Sequence, residues 1–212
     1  MKKHLMVFCI NLLVIGLHAQ AQDEGQKNLF SKNALQSWEL VVAPEGNWAS
    51  IFDNNVFFGQ ISAGISINQR WFVGAYLGQS IEEIRPSSSI SNLPAEEEVD
   101  FYQYGMQLAY TFSPNKLLHV SIPLHLGVFQ TEVHEANRFN YDDDWDYDHY
   151  AFAVEPGLNL ELNLLNPLRF YAGMRYRWLA ADIYREEGIS RPSNHLLVQA
   201  GMRIALLSRP KN

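Results

Sequence analysis

Three groups of residues have the types and spacing that chemistry requires. The first is His119-Val120-Ser121, a base and a hydroxyl two positions apart, with Glu161 further along the chain. Base, nucleophile and orienting carboxylate are the parts of a serine hydrolase, although a His-x-Ser pair is also common by chance. The second is the stretch Tyr141 to His149, YDDDWDYDH, with five carboxylates and three aromatics in nine residues. In an extended segment Asp142, Asp144, Asp146 and Asp148 share one side, a set of hard oxygen donors that suits Ca²⁺. No glycine supplies the sharp turn of a Ca²⁺ loop, so a solvated loop tip, weak divalent-ion binding and protein or glycan recognition all stay open. The third is a set of charges of both signs, Glu155, Glu161, Arg169, Arg175, Arg177 and Arg203, spaced by even steps within otherwise alternating stretches.

What positions these groups is a chain dominated by period-two alternation, the signature of strands. No amphipathic helix of useful length is visible. Eight strands are expected, at about 36–43, 56–68, 71–84, 99–112, 117–134, 149–164, 168–184 and 194–206. Their connections alternate in length. Asn68 to Arg70, Ser113 to Lys116 and Leu165 to Pro167 read as tight turns, whereas Pro44 to Asn55, Arg85 to Glu98, Glu135 to Asp148 and Arg185 to Ser193 read as long loops.

The ends and the composition restrict the compartment. Lys2 and Lys3, an apolar run from Leu5 to Leu17 and the small-x-small site Ala19-Gln20-Ala21 form the pattern of a secretory signal peptide over residues 1–21. The only cysteine, Cys9, falls inside it, so a disulfide framework and a cysteine metal site are excluded for the mature chain. Without Lys2 and Lys3 the 16 basic residues fall to 14 against 23 acidic ones, a formal charge of −9, which excludes nucleic acid as an expected partner.

The strand faces are sorted in a sense opposite to that of a water-soluble protein. Strand six offers Phe152, Val154, Leu158, Leu160, Leu162 and Leu164 on one face and Ala153, Glu155, Gly157, Asn159, Glu161 and Asn163 on the other. Strand seven sets Phe170, Ala172, Met174, Tyr176 and Trp178 against Arg169, Tyr171, Gly173, Arg175 and Arg177. A barrel in lipid needs apolar residues outward and tolerates polar ones inward; a soluble lipocalin-like or sandwich fold is the competing reading. Aromatic residues cluster at strand ends: Trp71, Phe72, Phe112, Phe170 and Tyr171 beside the short turns, and Tyr102, Tyr104, Trp145, Tyr147 and Tyr150 towards the long loops. Two interfacial girdles are the physical reading. On the same parity Glu39, Glu82, Gln103, Gln107 and Gln199 point inward. If the Leu165–Pro167 turn sets the register, Glu155 lies nearly opposite Arg177 and Glu161 diagonal to Arg169. Eight strands leave a lumen that side chains can fill, so these charges are expected to pair and plug it.

The last strand carries the family resemblance. Gln199, Gly201, Ile204 and Leu206 fill the four defining positions of a pattern that resembles the assembly signal of outer-membrane barrels. In plan the mature chain resembles the small eight-stranded OmpA/OmpX-like outer-membrane proteins. The fold this implies is all-β, a closed eight-stranded antiparallel up-and-down transmembrane β-barrel over 36–206, with short periplasmic turns and long outer loops. Residues 22–35 become a periplasmic N-terminal segment and 207–212 a periplasmic tail. The resemblance also implies the outer membrane of a Gram-negative bacterium, surface lipid and lipopolysaccharide as neighbours, the barrel-assembly machinery during insertion, a monomer, and no cofactor. A structural or surface-binding role on a plugged scaffold is the expected function. An outer-membrane acyl hydrolase using His119, Ser121 and Glu161, and an accessory subunit of an envelope or secretion complex, are the alternatives.

Overall fold

The computed structural model describes residues 37–51, 54–82, 97–135, 147–165, 167–180 and 195–209. Within them the alternating stretches become β1 (Trp38–Ile51), β2 (Asn54–Ile67), β3 (Trp71–Ser80), β4 (Glu97–Phe112), β5 (Leu118–Glu135), β6 (Tyr147–Leu165), β7 (Leu168–Leu179) and β8 (His195–Arg209). Each strand pairs antiparallel with its sequence neighbours, and β1 pairs with β8, so the sheet closes into a barrel. Closure leaves no edge strand with unpaired backbone groups, which is the condition for a sheet to survive in hydrocarbon.

Because successive side chains point to opposite faces, the alternation sorts residues into a wall and a lumen. Ile61, Ile65, Val73, Leu77, Met106, Leu108, Ile122, Phe152, Leu158, Leu160, Met174 and Trp178 are exposed on the outside. Glu45, Asn47, Gln60, Gln103, Gln107, His119, His125, Glu155, Asn159, Glu161, Arg175, Arg177, Gln199 and Arg203 are buried inside. A soluble protein that buried these polar groups and exposed these apolar ones would gain little from folding in water; in lipid the sorting is the stable one.

Turn chemistry fixes the register. Ile67 pairs with Trp71, and the Arg70 N–H donates to the Ile67 carbonyl at 3.0 Å. Asn68 and Gln69 at the centre of this turn have φ of 52° and 60°, the two left-handed positions of a type I′ hairpin turn, which matches the right-handed strand twist. Asn68 also ties down the start of the barrel: its Oδ1 accepts the Ser37 N–H at 3.1 Å. Both described ends of the barrel therefore lie on this short-turn side, where Trp38 pairs with Arg209.

Several element bounds differ from those expected. Residues 44–51 belong to β1 rather than to a long loop, and Ile51 pairs with Asn54, leaving only 52–53 as the first connection. Pro44-Glu45-Gly46 has the composition of a turn, yet Pro44, which has no N–H to give, is carried between the pairs Val42↔Ile204 and Glu45↔Gly201 without a change of register. The strict short–long alternation of connections accordingly fails at its first member. β3 ends at Ser80 and β7 at Leu179, short of the expected 84 and 184, and Glu82 is exposed instead of inward. β8 continues to Arg209, so 207–209 are wall rather than tail: the register shifts between Leu40 and Val41, and this irregularity leaves both Leu206 and Leu207 exposed on the outside. Phe72 and Tyr171 leave the girdle and enter the lumen, because parity, not nearness to a turn, decides the face. Residues 1–21 and 22–35, read as signal peptide and N-terminal segment, lie outside the described residues, as do 210–212.

Candidate functional site

The lumen is organised around two arginines of β7. Arg175 and Arg177, two apart on one strand, point to the same side and are both fully buried. Arg175 reaches across the barrel to residues of β1, β2, β5 and β6. Its Nη2 lies 2.9 Å from Glu45 Oε1 and donates to Asn47 Oδ1 at 2.7 Å and Gln60 Oε1 at 3.3 Å. Its Nη1 meets the His125 ring, 2.8 Å from Nε2, and its Nε lies 3.6 Å from Glu155 Oε2. Arg177 forms an ion pair through Nε with Glu155 Oε1, and its Nη2 donates to Gln103 Oε1. The Arg177 guanidinium also lies 4.4 Å from the Phe129 ring centroid and 5.4 Å from that of Phe58. The Gln103 side-chain amide donates to Gln60 Oε1 at 3.0 Å, and the Tyr171 hydroxyl donates to Glu45 Oε2 at 2.7 Å. Arg175 and Arg177 thus neutralise Glu45 and Glu155, whose side chains are buried, the arrangement in which removal of one member is costly.

Above and below this layer the lumen changes character. Towards the long connections it is apolar: Ile51, Val56, Phe58, Val99, Phe101, Phe129, Leu179 and Leu197 form one buried cluster, with Phe101 stacked on Phe129 at 5.3 Å between centroids. Towards the short turns a second set of charges appears. Glu161 meets Arg203 Nη1 at 2.8 Å and His119 Nε2 at 3.2 Å, and Glu39 meets Arg169 Nη2 at 3.6 Å and the Gln69 side-chain amide at 3.0 Å. Glu161 therefore engages Arg203 across the lumen in place of the diagonal neighbour Arg169. Backbone register explains the exchange, since Glu161 is paired with Tyr171 while Arg169 sits opposite Asn163 and Arg203.

Solved structures with the same layout are known. The chain superposes on the neisserial surface protein A (NspA) with a TM-score of 0.57 at 14% identity, covering 81% of this chain and 97% of that one. It superposes on a major outer membrane protein from Thermus thermophilus with a TM-score of 0.52 at 9% identity, covering 79% of this chain and 98% of that one. The fold is that of an outer-membrane β-barrel. No protein-family model matches the sequence, and no curated protein matches it either.

On this eight-stranded barrel the other sequence-derived residues take definite places. His119, Ser121 and Glu161 lie within the lumen on adjacent strands, with His119 opposite Glu161 and Ser121 opposite Asn159. Both imidazole nitrogens are engaged, Nδ1 with the Lys116 carbonyl at 3.1 Å and Nε2 with Glu161, so neither faces Ser121. A hydrolase triad needs one ring nitrogen on the carboxylate and the other on the hydroxyl; this arrangement does not supply it. Asp142, Asp144 and Asp146 lie outside the described residues, and of Asp148 the backbone is described, opposite Glu132 in the β5–β6 ladder. Among the described residues no group of metal-ligating side chains comes together.

Gln199 and Gly201 face the lumen, and Ile204 and Leu206 the outside. Gly201 has a local packing reason to be glycine, because a Cβ there would stand 2.6 Å from the Tyr171 hydroxyl and 2.7 Å from its Cζ. The sequence alone does not bring Glu45 and Asn47, which read as loop, or Tyr171, which reads as girdle, into this cluster. The signal for Glu45 and Asn47 is present: Glu39, Val41, Ala43, Glu45, Asn47, Ala49 and Ile51 keep one parity straight through the proline.

Proposed function

We propose that this chain is a monomeric, non-conducting barrel whose role is structural or surface-binding, exercised by its outer connections on a rigid plugged scaffold. The observation that supports this reading is the set of buried side chains that occupy the lumen at three levels of the described barrel. An apolar layer around Phe58, Phe101 and Phe129, a neutralised layer around Arg175 and Arg177, and a charged layer around Glu161 and Arg203 follow one another among the described residues. A barrel of eight strands has just the interior that side chains can fill. The short-turn side, which holds the described chain ends, is the periplasmic side in this reading, and the long connections face outward among surface lipid and lipopolysaccharide. Assembly machinery reading the Gln199–Leu206 stretch fits its position in the closing strand. Catalysis is disfavoured by the engagement of both His119 nitrogens.

The test is functional reconstitution. The protein should fractionate with outer membrane, migrate differently in SDS before and after boiling, and leave liposomes impermeable to small sugars. Liposome swelling at the rate of an open porin would overturn the plugged reading. Cleavage of lipid acyl esters by the parent, lost on Ser121→Ala, would replace it by the enzyme.

A further inference from the structure

The short-turn mouth of the lumen is not balanced as its centre is. Arg169 and Arg203 are direct cross-strand partners in the β7–β8 ladder, both on the inward face. Like charges directly opposite on one face are destabilising unless something lies between them. With Arg70 they line one small cavity, whose other polar walls are Glu39, Gln69, Ser66 and Thr111. Among the described residues three guanidinium groups therefore stand against two carboxylates, Glu39 and Glu161, and His119 shares Glu161.

Arg203 supplies the decisive detail. Its side chain is nine-tenths buried, with 9% exposure, and is held between the rings of Phe72 and Tyr171, with centroids at 5.7 and 5.5 Å. Nη1 is spent on Glu161, whereas Nη2 is buried and has no hydrogen-bond partner among the described residues. A buried charged donor left unpaired is among the more costly defects a fold can carry. Gln69 points the same way. It occupies a left-handed backbone position that glycine would adopt at less cost, and its amide fixes Glu39 Oε1, which leaves Glu39 Oε2 to Arg169.

We propose that this mouth is an oxyanion site, which takes one carboxylate or phosphate group from the aqueous phase at the short-turn rim. The cavity measures about 20 Å³, room for a single oxygen rather than for a whole ligand. The ligand inserts one oxygen into the cavity between Arg169 and Arg203, and the enclosed Nη2 reaches it by a turn of the Arg203 guanidinium, while the body of the ligand stays outside near Arg70. Charge-assisted bonds of this kind are short and strong, and guanidinium geometry matches both carboxylate and phosphate. The same chemistry can arrive as a free small anion or as the end of a chain, such as a peptide carboxylate.

Nitrogen-15 NMR of the refolded, full mature barrel in detergent micelles tests the site through the side-chain signals of Arg203 and Gln69. Acetate and inorganic phosphate should shift both saturably, beyond the response to sodium chloride at equal ionic strength. Arg203→Lys keeps the charge but loses the Nη2 donor, and should weaken binding by about tenfold or more, the loss expected for one charge-assisted hydrogen bond. Should that variant not fold, Arg70→Gln, at the exposed rim, should weaken binding without altering heat-modifiable migration. A short peptide with a free carboxylate that binds when its amide does not would identify a chain end as the source; binding of acetate and phosphate with exclusion of the peptide would identify a free anion. A linear response indistinguishable from chloride, with water alone exchanging at Arg203, would overturn the proposal.

Discussion

Arg175→Met is the perturbation that most sharply exposes how the lumen is held. The guanidinium joins β7 to Glu45, Asn47, Gln60, His125 and Glu155, and its removal affects the two carboxylates unequally. Glu155 keeps Arg177. Glu45 keeps only the Tyr171 hydroxyl among the described residues, at a site where its side chain is 2% exposed. A buried carboxylate stranded in this way costs about 3–5 kcal/mol. Arg177→Met strands no charge, because Arg175 Nε remains 3.6 Å from Glu155, and leaves only the neutral Gln103 Oε1 without its donor; it should cost about 2–3 kcal/mol, the size of a charge-assisted hydrogen bond. The expected order is therefore Arg175→Met above Arg177→Met, although both arginines are equally buried. Adding Glu45→Gln to Arg175→Met removes the stranded charge and should recover about 2 kcal/mol, since replacing a whole buried pair is often neutral or better. Urea unfolding in lipid vesicles, followed by tryptophan fluorescence and by migration in unboiled SDS, measures all three. A cost below about 1 kcal/mol for Arg175→Met, the reverse order, or a double variant weaker than the single one would refute the reasoning.

Leu160→Arg places a charge on the outer face beside lipid, where Leu160 is 51% exposed in the isolated chain, and should cost about 2–4 kcal/mol if the position is near the bilayer midplane; an unchanged unfolding midpoint in vesicles would show that this face does not meet hydrocarbon. Gly201→Ala forces the Tyr171 ring away from the β8 backbone and off Glu45, and should cost about 1–3 kcal/mol by overpacking, read as a lower urea midpoint and a changed Tyr171 hydroxyl environment. Replacing Asp142, Asp144, Asp146 and Asp148 together by Asn should leave the barrel folded by the gel assay. Calorimetry of the parent with millimolar Ca²⁺ then decides whether that stretch binds ions, and the absence of heat would leave the solvated tip.

The wall was legible in the sequence because one physical rule wrote it. Each strand had to alternate apolar and polar or small residues, and parity then assigned Glu155, Glu161, Arg175, Arg177 and Arg203 to the inside without any knowledge of their partners. Partners were harder, because they depend on three-dimensional proximity across the lumen and not on spacing along one strand. Glu45 was hidden by Pro44 and Gly46, whose local propensities signal a turn that the closing β1–β8 ladder overrides. Phe72 and Tyr171 were assigned by nearness to turns, when the period-two rule already placed them inside. The pairing of Arg203 with Glu161 follows from the relative stagger of non-adjacent strands around a closed barrel, a quantity that no single hairpin encodes.

The central claim, that side chains close the lumen, is tested most directly by planar-bilayer conductance of the refolded parent beside the Glu45→Gln, Arg175→Met double variant. The parent should insert without steady current at physiological salt. The double variant, having lost the guanidinium that ties β7 to β1, β2, β5 and β6, should remain closed at the apolar layer of Phe58, Phe101 and Phe129 and show at most brief, small openings. A wide, stable, ohmic pore in the parent would contradict the account.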